Sequence, residues 1–222
     1  MLKSICYKEW LKIGRIAIVL FIVGLLAIAG IYLSVRHDLV LTDAEKIWDM
    51  IINQKYIYFS IFKFFPLIFG LLIGVAQFVP EIMEKRIKLS LHLPLNEEEV
   101  VLKMVAFGAG TVVVTFFALF ILFYGWGLVY FPSEIVQKAS LTVLPWFLSG
   151  LTVYFLASYI ILEPIWKYRI FYIITAAVLI SIFYKSNVAG AYAPSIVMLV
   201  LCVLMASISS IFSIYRFRKG EM

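Results

Sequence analysis

Long apolar segments, each about the length of a membrane-spanning helix, occupy most of this chain. A helix needs roughly 20 mostly apolar residues to cross the hydrocarbon core of a bilayer. Six such segments lie near residues 16–35, 56–79, 104–131, 141–162, 170–184 and 189–215. Only 14% of the 222 residues are charged, against about 25% in ordinary soluble domains. The sequence therefore predicts an all-α membrane protein of six transmembrane helices, folded as one transmembrane domain over residues 1–222.

The basic residues predict how the chain is oriented. Lysine and arginine are enriched in the cytoplasmic loops of membrane proteins. Most of the 19 in this chain lie in segments that are cytoplasmic if both termini are cytoplasmic, and we therefore expect that topology. The net charge of +6 is a topology signal in this interpretation. Nucleic-acid binding is excluded, because it needs a basic face on a folded domain outside the membrane.

Residues 1–14 are predicted to form an interfacial helix ahead of the first span. Apolar side chains from Leu2 to Ile13 share one helical face with lysines at its sides, and Trp10 is a natural anchor at the membrane interface. Glu9 falls inside the apolar arc and weakens this pattern. The alternative is a plain basic leader that sets the topology.

One face of the second span is small or polar. Lys63, Gly70 and Gln77 are spaced seven residues apart, and Gly74 lies close to the same line. Gly70 and Gly74 also form a GxxxG pair, which permits close approach of another helix. We expect this face to pack against protein or to line a pathway. Lys63 alternatively extends to the outer headgroups.

The segment 80–103 is the one long charged interruption of the apolar pattern. It contains Glu81, Glu84, Lys85, Arg86 and Lys88, followed by an acidic run at 97–99. We expect it to form a cytoplasmic loop, and a soluble partner would bind there. The acidic run has a second explanation, because carboxylates stabilise the positive end of the helix that begins there.

Residues suited to catalysis are missing from the predicted spans. The two histidines, His37 and His92, lie outside the span centres, and neither cysteine has metal-ligand spacing. The chain also lacks the P-loop ending that binds ATP. We therefore expect no catalytic, metal or cofactor site in this chain. The sparse Ser, Thr, Gln and Tyr residues of the spans favour an amphipathic or lipid-like substrate over an ion.

Taken together, the topology and the charged segment resemble type-2 ABC-transporter permeases. Six spans with both ends inside and a leader bearing Lys8-Glu9-Trp10 match that family. The segment adds an acidic residue at Glu81, the basic pair 85–86, the Leu-Pro pair 93–94 and Lys103 at the start of the third span. The motif covers about a tenth of the chain, whereas the topology covers all of it.

The resemblance implies a permease subunit of an ATP-driven exporter in a bacterial plasma (inner) membrane. Residues 80–103 would then form the coupling loop that docks on a separate nucleotide-binding ATPase subunit, which holds ATP and Mg²⁺. A second permease chain, identical or not, would complete the transporter. The coupling contacts would come from Glu81, Glu84, Lys85, Arg86 and Lys88.

Two other classes stay open. The chain could be a scaffold or substrate-capture subunit of a larger membrane complex, whose loop binds a partner without a transport cycle. It could also be a membrane-embedded enzyme acting on lipid, which the missing catalytic residues disfavour.

Overall fold

The computed structural model describes residues 2–41, 44–53, 56–83, 97–163, 165–186 and 188–218, and their regular structure is entirely helical. Two single-turn 3₁₀ helices, Ser60–Phe62 and Ala193–Ser195, precede longer helices. The α-helices are α1 (Leu2–Leu41), α2 (Ala44–Ile52), α3 (Phe65–Met83), α4 (Glu97–Tyr130), α5 (Ser133–Leu162), α6 (Trp166–Phe183) and α7 (Ile196–Arg218).

Five helical stretches are long and apolar enough to cross a membrane. They are Ser4–Leu41, Ser60–Met83, Glu99–Tyr130, Ser133–Leu162 and Trp166–Phe183, and a shorter apolar stretch covers Ala193–Ser209 within α7. The structure therefore confirms an all-α protein with five to six helices suited to a membrane.

The predicted interfacial helix is not separate from the first span. Residues 2–13 form the first turns of α1, which continues without a break for 40 residues. At 1.5 Å per residue α1 is about 60 Å long, roughly twice the thickness of the hydrocarbon core. Part of α1 therefore extends beyond the membrane core.

Helix α5 lies at the centre of the bundle and crosses α3 at very short range. A Cβ atom added to Gly70 would meet the Gly150 carbonyl oxygen, and one added to Gly150 would meet the carbonyl oxygen of Pro66. One helical turn later, Gly74 packs against Ala157. Only glycines allow two helix backbones to approach this closely. The crossing places the carboxyl ends of α3 and α5 side by side.

The bundle has a different interior at each of its two ends. We call the end that holds the amino-terminal turns of α1 and α4 the proximal end, and the other the distal end. Aromatic rings fill the distal end. Phe59 lies 5.4 Å from Phe123 and 5.5 Å from Trp146 between ring centroids, and Tyr32 stacks on Tyr130 at 5.8 Å. Polar side chains are buried at the proximal end.

Candidate functional site: a buried polar cluster at the proximal end

Two carboxylates are buried between α1 and the carboxyl end of α3. Glu9 of α1 and Glu81 of α3 are both fully buried. Lys12 Nζ lies 2.7 Å from Glu81 Oε1 and 2.5 Å from Glu9 Oε1, so one ammonium group bridges both carboxylates. Lys8 Nζ lies 2.9 Å from the same Glu81 oxygen. Since two lysines face two glutamates, the formal charges of this group balance.

Gln77 connects these charges to the centre of the bundle. Its Nε2 donates hydrogen bonds to Glu9 Oε2 at 2.9 Å and to the Met104 carbonyl oxygen at 2.7 Å. Its Oε1 accepts a hydrogen bond of 2.8 Å from the hydroxyl of Tyr154, which is also 3.0 Å from the Val105 carbonyl oxygen. One amide therefore links α1, α3, α4 and α5.

Gly108 makes room for this network on α4. A Cβ atom at that position would lie 2.1 Å from both Gln77 Oε1 and the Tyr154 hydroxyl. These two atoms are buried and hydrogen-bonded to each other. A side chain larger than hydrogen at position 108 would therefore have to displace them. We call the set Lys8, Glu9, Lys12, Gln77, Glu81 and Tyr154 the polar cluster.

The polar cluster links α1, α3, α4 and α5 at the proximal end through ion pairs and hydrogen bonds. Breaking a buried ion pair typically costs about 3–5 kcal/mol, because an uncompensated charge remains in the interior. The four helices that share the cluster are therefore held in one register at the proximal end. Within the described residues, Glu81 Oε2 is buried and accepts no hydrogen bond. The part of the chain that the structure describes contains no group of three or more His, Cys, Asp or Glu side chains that could hold a metal ion.

The structure distributes the residues singled out in the sequence over three places. Gly70 and Gly74 lie at the crossing of α3 and α5, whereas Gln77 and Glu81 belong to the polar cluster. Lys63 lies far from it, with its ammonium group 5.5 Å from the ring of Phe64. The remaining coupling residues lie outside the described part of the chain; they are Glu84, Lys85, Arg86 and Lys88.

Sequence reasoning missed Lys8, Glu9, Lys12 and Tyr154 as members of the site. Glu9 carried a signal, because a carboxylate inside an otherwise apolar helical arc must find a partner when that arc is buried. Lys12 and Tyr154 carried none. Lysines near a predicted membrane surface and tyrosines within spans are common, and only the contact between distant helices shows their role.

A groove opens on the surface of the bundle between α1 and α4, next to the polar cluster. Its volume is about 640 Å³, within the range of roughly 300–1,000 Å³ common for small-ligand sites. The lining is almost entirely apolar, and it comprises Trp10, Ala17, Ile18, Phe21, Ala106, Phe107, Gly110, Thr111, Val114, Thr115 and Ala118.

Comparison with known proteins adds no relative. No protein-family model, curated protein or solved structure matches the chain.

Proposed function

We propose that this chain is the membrane-spanning permease subunit of an ATP-driven transporter, an exporter of hydrophobic or amphipathic molecules in a bacterial plasma (inner) membrane. The proposal begins from the resemblance to type-2 ABC-transporter permeases in residues 80–103. ATP and Mg²⁺ would bind to a separate ATPase subunit, and a second permease chain would complete the transporter. This chain would hold no cofactor and catalyse no reaction.

The polar cluster is the observation that carries the proposal. Of the charged segment 80–103, residues 80–83 belong to α3 and residues 97–103 belong to α4, so residues 84–96 join the end of α3 at Met83 to the start of α4 at Glu97. Glu81 and Gln77 lie in the last two turns of α3 before this segment, and they are tied to α1 and α5 by buried ion pairs and hydrogen bonds. A displacement of the segment would therefore move several helices together, as coupling to an ATPase requires.

The first test is binding of the ATPase. We expect a P-loop ATPase to be encoded beside this chain. That ATPase is the partner to co-express, and it should co-purify with the full-length chain from detergent extracts. The double reversal Glu84→Arg with Arg86→Glu should abolish co-purification and leave membrane insertion intact. The matched control is Glu134→Arg with Lys138→Glu, an exposed pair on α5 at the distal end, which should not affect binding.

The second test concerns transmission through the polar cluster. Glu81→Gln keeps the shape of the side chain and removes its charge. We expect the ATPase to bind this variant normally, while stimulation of ATP hydrolysis by the permease falls.

Unchanged co-purification after the reversal at 84 and 86 would contradict the coupling role. Binding that is lost in that variant but does not respond to nucleotide would instead support the scaffold or substrate-capture function.

A further inference from the structure

The groove between α1 and α4 has the length of one lipid chain in one leaflet. From Ala106 to Ala118 its α4 wall spans about 18 Å at 1.5 Å per residue. Half of a hydrocarbon core roughly 30 Å thick is about 15 Å. The groove therefore matches the depth of a single leaflet, the one that surrounds the proximal end.

The walls of the groove require no polar ligand. The hydroxyls of Thr111 and Thr115 donate to carbonyl oxygens of their own helix, at 3.0 Å to Phe107 and at 2.8 Å to Thr111. Gly110 adds depth, because a Cβ atom at this position would meet nothing within 4 Å. An apolar chain therefore fits this space, and a polar or charged molecule would lose hydration without compensation.

A charged pair lies where the groove reaches the proximal end. Lys103 precedes Gly110 by seven residues and so lies on the same face of α4. Glu99 is one turn further from the groove, and its Oε1 atom is 2.6 Å from Lys103 Nζ. Exposed pairs of this kind contribute only about 0–1 kcal/mol. The ion pair can therefore open at little cost in free energy, so that each group binds an external partner.

We propose that the groove binds one zwitterionic phospholipid of the leaflet at the proximal end. Its acyl chain lies between α1 and α4, its phosphate contacts Lys103, and its terminal ammonium group contacts Glu99. The order of charges fits, because the phosphate of such a lipid is nearer to the chains than the ammonium group is, and Lys103 is nearer to the groove than Glu99 is. The site does not depend on the transport function.

The headgroup, rather than the chain, selects the lipid. Lipid chains are as apolar as the groove, so transfer from the bilayer into the groove gains little beyond packing contacts. An exposed ion pair such as that between Glu99 and the lipid ammonium group contributes up to about 1 kcal/mol, or about a fivefold preference. The expected specificity is therefore modest and depends on both Lys103 and Glu99.

The test is photolabelling of the full-length chain in nanodiscs. Trace phospholipids that carry a photoreactive group on the acyl chain are added with either an ethanolamine or a glycerol headgroup, and labelled peptides are measured by mass spectrometry. In the unmodified chain we expect labelling of residues 106–118, about fivefold stronger with the ethanolamine lipid. Glu99→Gln should remove this preference, whereas Lys103→Gln should weaken labelling by both lipids.

Filling the groove provides the decisive variant. Gly110→Leu should reduce labelling of residues 106–118 to the level of the remaining lipid-facing surface. Gly125→Leu on the same helix is the matched control, because a Cβ atom there also meets nothing within 4 Å, and its labelling should be unchanged. Equal labelling of Gly110→Leu and the unmodified chain would overturn the proposal in favour of unspecific surrounding lipid. Equal labelling by the two headgroups, or protein–protein crosslinks at the groove in place of lipid adducts, would overturn it too.

Discussion

The two ends of the helix bundle are held together by different kinds of contact. At the proximal end, buried charges and one amide join four helices through directional contacts of 2.5–3.0 Å. At the distal end, most contacts are apolar and join aromatic rings. The ring centroid of Phe59, for example, lies 5.4 Å from that of Phe123 and 5.5 Å from that of Trp146. Tyr32, one of the tyrosines at that end, donates one hydrogen bond of 2.6 Å to the Phe123 carbonyl oxygen.

The difference indicates which end is specified more strictly. Aromatic and aliphatic contacts tolerate exchange of similar volumes, because a core of suitable volume can repack. A buried ionic and hydrogen-bonded network is more sensitive to a single loss, because the polar atoms that contacted the lost group are left unsatisfied. The proximal end is therefore expected to keep its geometry when the distal end adjusts.

The largest difference in stability is expected between two leucine substitutions, one at each end of the bundle. Glu81→Leu leaves Lys8 and Lys12 without their common partner, and we expect it to lower the free energy of unfolding by about 3–5 kcal/mol. Phe59→Leu replaces the ring by a smaller apolar side chain that fills most of its space, and it should cost less, about 1–2 kcal/mol. Unfolding in mixed micelles measures both. Adding Lys12→Leu together with Glu9→Gln to Glu81→Leu removes the charges that remain buried and should restore part of the loss, and a triple variant no more stable than Glu81→Leu would contradict the ion-pair explanation.

Two glycines of α4, one at each end, allow the two ends to be compared by adding a single methyl group to each. Gly108→Ala introduces a Cβ atom 2.1 Å from Gln77 Oε1 and the Tyr154 hydroxyl, whereas the Cβ atom of Gly127→Ala lies 3.0 Å from the Tyr32 hydroxyl. We expect a loss of about 1–3 kcal/mol for the first variant. The second should change stability by less than the first, because a few tenths of an ångström relieve the contact. Equal thermal shifts would show that the proximal end adjusts as easily as the distal end.

Removing one hydroxyl at each end gives a smaller contrast. Tyr154→Phe leaves Gln77 Oε1 without its donor, so we expect a cost of about 1–3 kcal/mol. Tyr32→Phe removes a bond to a carbonyl oxygen that belongs to a helix, and about 1 kcal/mol is expected. Chemical denaturation of the two variants in one detergent ranks them. A larger loss of stability for Tyr32→Phe than for Tyr154→Phe would show that the distal end, not the proximal end, is the more strictly specified one.

A partly exposed ion pair at the surface of the proximal end sets the lower limit of the scale. The carboxylate of Glu99 is half exposed. Glu99→Gln removes its ion pair with Lys103 and should change the free energy of unfolding by no more than about 0.5 kcal/mol. The same unfolding assay applies. A loss above about 1 kcal/mol would show that this pair has a structural role that its exposure does not suggest.

The sequence predicts the helices well and the site in part. Apolar length predicts the spans, and the spacing of Gly70, Gly74 and Gln77 marks a face of α3 that the structure buries. Glu81 was predicted as a residue that contacts a partner, yet it is fully buried and pairs with α1. The sequence could not show this, because the partner residues lie about seventy positions away and neither lysine differs from an ordinary residue of a basic leader.

The sequence by itself determines that this chain is a bundle of apolar helices interrupted by one charged segment, because bilayer thickness sets the length of a span and the cost of buried charge sets where charges occur. Only the tertiary structure decides that Glu9, Lys12, Gln77, Glu81 and Tyr154 form one cluster. Their contacts depend on how α3 crosses α5 and how closely α4 approaches at Gly108, and helix-to-helix distances of this kind are set by packing between segments far apart in the chain.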